Sequence, residues 1–258
     1  MKEQLLTFPI HANQHGFCTD KSTESAISNT LINIKNNTSH KKHTIVSSLD
    51  IQAVFDSILP GKIKLALLKY GSNKDFANWY HNYLTHRDLH TELNGEIYEA
   101  TTSIGFPQGG VVSADFWKIA FNPAMEIINN EHTTGTGYAD DLILMASGYK
   151  HSTTIQKLQQ VLNKLTTWGK THGLQFNAAK TVAVYFTQSK HSNPDVHITM
   201  EGKAIEYSSS FKYLGVTIDN KLSWREHRES VIKTAKNNLM KLTNKIATIN
   251  GPNPQISK

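Results

Sequence analysis

A chain of 258 residues, 38% of them hydrophobic, holds enough apolar surface for one large domain or two small ones. No apolar run approaches the roughly eighteen residues of a membrane-spanning helix, and Met1 to Gln14 lacks the apolar block of a secretory signal. Cys18 stands alone, which excludes an intramolecular disulfide and a cysteine-based zinc site, while a net charge of +6 suits a polyanionic partner without specifying one.

Ile34 to His43 is polar and basic and reads as an exposed loop. Thr44 to Ile51 follows as a short, continuous run rich in β-branched residues, the pattern of a buried strand. Pro60 opens a helix through Ile63, Leu65, Leu67 and Leu68, and Gly71 stops it. A second helix is predicted over Lys74 to Thr85, with Phe76, Trp79, Tyr80 and Tyr83 on one face. Leu89–Leu93 and Ile97–Thr102 flank Asn94-Gly95, a pair that favours a two-residue hairpin turn.

A glycine-rich stretch, Gly105 to Gly110, leads into a helical pattern from Val111 to Ile128, where Pro123 predicts a kink or break. Gly137 to Met145 reads as strand, tight acidic turn, strand. His151 to His172 is a helix that Ser152 or Thr153 is placed to cap and Gly173 to end. Thr181 to Thr187 and Phe211 to Ile218 read as strands. From Arg225 onward, Val231, Ile232, Ala235, Leu239, Leu242 and Ile246 recur at helical spacing. This order predicts an α+β fold with helices packed on one face of a mostly antiparallel sheet.

The acidic turn, Tyr138-Ala139-Asp140-Asp141, carries two adjacent carboxylates that repel unless a cation or solvent intervenes. Such a pair also occurs in ordinary solvated turns. Asp50, at the end of a buried-looking strand, changes the balance, because an ionised carboxylate there is expensive unless paired or metal-bound. If that strand lies beside the acidic hairpin, three carboxylates meet. Such a cluster can hold two Mg²⁺ ions on either side of a phosphoryl displacement.

Ser48-Leu49-Asp50-Ile51-Gln52-Ala53-Val54-Phe55-Asp56 resembles the first catalytic motif of reverse transcriptases. Gly105-Phe106-Pro107-Gln108-Gly109-Gly110-Val111-Val112-Ser113 resembles their template-contacting motif, and Tyr138 to Asp141 their catalytic hairpin. Gly173 to Asn177 with Lys180-Thr181 resembles the fourth motif, Phe211 to Val216 the primer grip, and Gln14 to Phe17 the segment just before the palm. Gly109-Gly110 and the Tyr-Ala-Asp-Asp turn occur also in group II intron enzymes. Gly173–Thr181 and Phe211–Trp224 look more like the non-LTR retrotransposon type.

The resemblance implies the palm of a right-hand polymerase: a ferredoxin-like antiparallel sheet with helices on one face, partial fingers and the start of a thumb. Residues 1–42 would be a residual fingers segment, 43–220 the palm with a finger insertion around 60–105, and 221–258 the first thumb helix. Asp50, Asp140 and Asp141 would be the catalytic carboxylates, with the Ile51 carbonyl a further metal ligand, and Lys180 the general acid toward pyrophosphate. Phe55, Gln108, Gly109 and Tyr138 would meet nucleotide and template. Lys212, Tyr213, Leu214 and Gly215 would form the primer grip. Two Mg²⁺ ions, replaceable by Mn²⁺, would be the cofactors. RNA template, DNA primer and dNTPs would be the partners, with no membrane partner and protein partners left open. A nuclear location follows only by family analogy.

The pattern departs in places. Only about fifty residues precede Asp50, and Lys2, Lys21 and Lys35 stand in no recognisable triphosphate-binding context. Ala114-Asp115 follows Ser113 where the family usually has proline. The main expectation is therefore an RNA-directed DNA polymerase domain. The alternatives are a truncated, catalytically silent product that binds nucleic acid, and a different two-metal enzyme such as a nuclease.

Overall fold

The computed structural model describes residues 8–110, 112–188 and 197–249. Met1 to Thr7, Val111 and the stretch up to Lys258, which the sequence reading used, lie outside the described residues, as does the Ile246 side chain. No helix among the described residues is long and apolar enough to cross a membrane.

The centre is a five-stranded sheet of β1 (His43–Leu49), β5 (Thr133–Tyr138), β6 (Asp141–Gly148), β8 (Val182–Phe186) and β11 (Glu206–Ser208), in the order β11-β8-β1-β6-β5. β1 pairs antiparallel with both β6 and β8, β5 pairs antiparallel with β6, and β11 joins β8 in parallel. β1 is buried on both faces, which is why it reads as an unbroken apolar run instead of alternating.

The two faces bury different partners. Ile45, Leu49, Leu142, Leu144 and Ala183 pack against α5 (Ser113–Ile128) and α6 (His151–His172), the helices expected on one face. Two shorter helices, α3 (Pro60–Lys69) and α4 (Lys74–Thr85), extend that core, joined to β1 through the strand β2 (Ile51–Gln52) and the single turn α2 (Val54–Ser57). Val46, Ile143, Met145, Val184 and Phe186 face the other way. There they meet α1 (Thr23–Ser39) and the hairpin of β12 (Ser210–Tyr213) and β13 (Val216–Asp219). Ser22 and Ser25 form a capping box that starts α1, and its buried residues Ala26, Thr30 and Ile34 fall four apart.

Several expectations need correction. Ile34 to Ser39 is helix, not loop; the stripe that buries α1 contains only one large apolar residue, so no periodicity announced it. Pro123 does not break α5, which runs through it from Ser113 to Ile128. α6 starts without a side-chain cap: the Thr153 hydroxyl donates back to the Lys150 carbonyl at 2.9 Å. Phe211 to Ile218 is two strands turning at Leu214-Gly215, both with positive φ.

β3 (Arg87–Leu93) and β4 (Glu96–Thr102) form the expected hairpin, turning at Asn94-Gly95 with φ of 53° and 83°. It projects with both faces largely exposed. Of the remaining short strands, β7 (Gln175–Phe176) pairs antiparallel with β2, and β9 (Thr199–Met200) pairs with β10 (Lys203–Ala204). The last helix, α7 (Arg225–Ile249), has the predicted spacing, but Val231, Ile232, Ala235, Leu239 and Leu242 are exposed.

Leu162, fully buried on α6, tests the main core. Leu162→Ala should lower stability by about 2–5 kcal/mol, read from urea denaturation at unchanged m-value.

Candidate active site

The acidic turn is the two-residue connection between β5 and β6, closed by the Tyr138–Asp141 pair. Ala139 takes φ 56°, in the left-handed region that a side chain ordinarily avoids. Two contacts hold it there. The indole N–H of fully buried Trp117 on α5 donates to the Ala139 carbonyl at 3.3 Å. From the other side comes the segment Asn13–Gly16, which lies along β5: the His15 N–H donates to the Gly137 carbonyl at 2.7 Å, and the Gly137 N–H donates to Asn13 at 2.9 Å. Gly16 then abuts the turn so closely that a Cβ on it would lie 2.1 Å from the Ala139 nitrogen. Only glycine permits that approach.

Asp50 is brought to this turn by strand register. Leu49 pairs with Leu142, so the next position on the chain lies across from Asp141. Backbone bonds on both sides of the peptide fix it. Its N–H donates to the hydroxyl of buried Thr181 at 3.3 Å, and its carbonyl accepts from the Asn177 N–H at 2.8 Å. Buried Ile51 continues the tie by pairing with Phe176 on β7. Lys180 sits in the same loop, its N–H on the Asn177 carbonyl and its side chain exposed.

The electrostatics follow from this packing. Burial comes first among the causes that push the Asp141 carboxyl above its ordinary range, followed by the charges of Asp140 and then Asp50. Asp140 and Asp141 are both exposed at the turn, so the Asp141 carboxyl is only partly withdrawn from water, and Asp50 is half-buried. Among the described residues, no three carboxylate, imidazole or thiolate groups are gathered closely enough to enclose a cation as they stand. The donor chemistry nevertheless fits a hard divalent ion: three carboxylates, all oxygen ligands, whose mutual repulsion a cation would relieve.

On the flank toward α4, Phe55 is half-buried against Phe106 and Trp117, with ring centroids 6.1 and 5.8 Å away. The glycine-rich loop is stitched to the first motif. Phe106 N–H donates to the Phe55 carbonyl at 2.6 Å, and a Cβ on Gly105 would lie 2.6 Å from that same oxygen. Gln108 is exposed and its amide donates to Asp56 at 3.1 Å; Gly109 turns with φ 78° into open space. A cleft of about 800 Å³ opens here, lined by Asp56, Tyr83, Arg87, Phe106 and Gln108 among others.

On the opposite flank, Lys212 is exposed while Leu214 and Gly215 make the hairpin tip. Tyr213 points inward, 2% exposed, with no partner for its hydroxyl among the described residues. Burial raises that phenol strongly, and the neighbouring Asp141 and Tyr138 add to the shift, so Tyr213 lies inside the core beside the acidic turn. Tyr138 itself is half-buried against the same cluster. The structure thus gathers Asp50, Asp140, Asp141, Tyr138 and Tyr213 and leaves Lys180, Lys212 and Gln108 around the rim. The supports Trp117, Gly16 and Thr181 were not read from the sequence as such. Gly16 and Thr181 sit inside quoted motifs; nothing in the sequence marked Trp117.

The family model for reverse transcriptase (RNA-dependent DNA polymerase) matches residues 1–218. Among curated proteins, the chain is 24% identical over 225 residues to the RNA-directed DNA polymerase from mobile element jockey of Drosophila melanogaster, covering 82% of this chain and 23% of that protein. It is 25% identical to the probable RNA-directed DNA polymerase from transposon BS of the same species, covering 89% and 26%. It is 23% identical to the retrovirus-related Pol polyprotein from type-1 retrotransposable element R1 of Bradysia coprophila, covering 88% and 22%. The chain spans about a quarter of the length of these relatives. Among solved structures, telomerase from Candida Tropicalis in complex with a fragment of telomeric RNA superposes with a TM-score of 0.57 at 13% identity, covering 81% of this chain and 33% of that one. Apo telomerase from the same organism gives 0.56 at 12% identity, covering 80% and 39%. These likenesses place the fold with the polymerase palm.

A carboxyl raised by folding holds its proton more tightly in the folded state, so its ionised form opposes folding. That cost is full above the folded pKa and vanishes below the unfolded one. Asp141→Asn should therefore melt higher than the native chain at neutral pH without divalent metal, with the gap closing as pH falls below the carboxylate range. Gly16→Ala should act oppositely, lowering the melting temperature and speeding amide exchange at Tyr138 to Asp141.

Proposed function

Because the chain belongs to the reverse transcriptase (RNA-dependent DNA polymerase) family, we propose that it is the nucleotide-adding part of a non-LTR retrotransposon enzyme, extending a DNA primer on an RNA template. The observation that carries this reading is the convergence of Asp50, Asp140 and Asp141 at adjacent strand ends, where partial burial and the charges of Asp140 and Asp50 raise the Asp141 carboxyl. A carboxylate cluster held by backbone is useful chemically because the ligands need little reorganisation when charge develops.

In the reaction, the primer 3′-hydroxyl oxygen attacks the α-phosphorus of a dNTP, its proton passes to solvent, and the bond to pyrophosphate breaks. Two Mg²⁺ ions, or Mn²⁺ in their place, held by Asp50, Asp140, Asp141 and the Ile51 carbonyl, would supply neutralisation at the attacking and leaving oxygens. Lys180, exposed on the loop that clamps Asp50, is placed to give a proton to the departing pyrophosphate. Phe55, packed on Phe106 and Trp117, offers a rigid surface that excludes a ribose 2′-hydroxyl. Gln108 borders the cleft on the template side with Gly109 next to it in the chain, and Tyr138 would lie under the incoming nucleotide. Lys212 and the Leu214-Gly215 tip support the primer end, while Tyr213 backs the turn from within.

Primer extension on an RNA template with an annealed DNA primer, dNTPs and Mg²⁺ tests the assignment. The native chain should extend the primer. Asp140→Ala should lower the rate at least about a thousandfold, which corresponds to roughly 4 kcal/mol of transition-state stabilisation. Equal extension by both would sink the triad assignment. A folded native chain that binds the template without extending it would leave a nucleic-acid-binding protein without polymerase chemistry.

A further inference from the structure

Asp219 ends β13, one strand of the primer-grip hairpin, and stands six residues before Arg225, the first residue of α7, which follows Trp224. It is 6% exposed, and its carboxylate is saturated with donors. One oxygen accepts from the N–H groups of Lys221 and Ser223, each at 3.0 Å. The other accepts from the Trp224 N–H at 2.9 Å and the Ser223 hydroxyl at 3.2 Å. Those donors hold the carboxyl below its ordinary range against the opposing effect of burial. Two non-glycine residues of the same connection, Leu222 and Trp224, lie in the left-handed region with φ of 52° and 63°. A backbone path this unusual persists only where its surroundings hold it.

The consequence is geometric. Trp224 N–H belongs to the residue whose carbonyl accepts the bond from the Arg228 N–H, in the first turn of α7. The Asp219 carboxylate therefore joins the end of the hairpin to the start of the helix directly. Two lesser ties cross the same junction: the Ser210 hydroxyl donates to Glu226, and the Thr217 N–H donates to His227 at 3.4 Å. Beyond the junction, Val231, Ile232, Leu239, Met240 and Leu242 of α7 are exposed. A groove of about 460 Å³ runs between hairpin and helix, lined by Lys212, Thr217, His227, Ser230, Thr234 and Asn238 among others. Its width is set by the angle at the junction.

We infer that Asp219 is a positioning residue that locks the angle between the primer-grip hairpin and α7, and thereby fits the groove between them to the primer strand. The inference rests on the polymerase reading for the identity of the strand. It does not rest on it for the lock itself.

The test compares the native chain with Asp219→Ala and Asp219→Asn, each first checked for folding by circular dichroism and melting. Affinity for an RNA–DNA primer–template is measured by fluorescence anisotropy without dNTPs, and extension kinetics are measured separately. Asp219→Ala should weaken primer–template binding about tenfold, a loss of one decade in Kd. At saturating primer–template, the KM for dNTP and the maximal rate should stay within about twofold, because the reacting carboxylates are untouched. Asp219→Asn keeps the acceptor facing Lys221 and Ser223 but loses the one facing Trp224, and should weaken binding about threefold. Native affinity in folded Asp219→Ala overturns the proposal, as does an equal loss in dNTP KM. If Asp219→Ala does not fold, Asp219→Asn decides alone, and native affinity there overturns it. Should the native chain bind but not extend, the polymerase reading fails while the binding arm still judges the lock.

Discussion

The antiparallel register of β1 against β6 is the constraint from which the candidate site follows. Leu49 opposite Leu142 is what brings Asp50 across from Asp141. A slip of one residue would turn every side chain of β1 to the opposite face and carry Asp50 away from the turn. The register is held from both sides, because β1 also pairs with β8 over Thr44 to Ser48. Each of its faces is sealed by a separate apolar cluster. The chemistry thus depends on a core that reaches the site at Trp117 and Tyr213.

The site itself works against stability. Like charges gather at one strand end, the Asp141 carboxyl is raised by burial and by its neighbours, and Ala139 sits in a left-handed conformation. Rigid surroundings sustain these costs. Gly16 presses on the turn, Trp117 bonds its carbonyl, and Thr181 and Asn177 clamp the Asp50 peptide. Each support comes from a different part of the chain, so the strain is distributed across elements that the core already orders. The same logic recurs at Asp219, where one buried carboxylate organises a connection containing two left-handed residues.

Local signals were legible where a single turn or stripe sufficed. Asn94-Gly95 marked its hairpin, Gly173 ended α6, and the repeated apolar positions of α6 and α7 marked two helices. Signals failed where tertiary partners supplied what the chain lacked. α1 is held to the sheet by Ala26, Thr30 and Ile34, a stripe too sparse for apolar periodicity to reveal. Pro123 stays within a helix because α5 is buried against the rest of the core, which outweighs the one backbone bond that proline removes. The Phe211–Ile218 run hid its turn because Leu214 carries a positive φ that leucine rarely adopts, and only Gly215 hinted at it.

The family and the acidic turn were determined by the sequence alone, because ordered motifs record chemistry in residue type and order. The tertiary structure decided which of the motif residues meet. It put Tyr213 inside the core beside Asp141 instead of on the surface, left Lys180 and Lys212 at the rim, and recruited Gly16 and Trp117 to hold the turn. The division has a physical reason. Spacing along a strand or helix reports which neighbours within an element share a face, whereas contacts such as Trp117 with Ala139, 22 positions apart, or Asp50 with Thr181, 131 apart, depend on how whole elements pack, which no local period encodes.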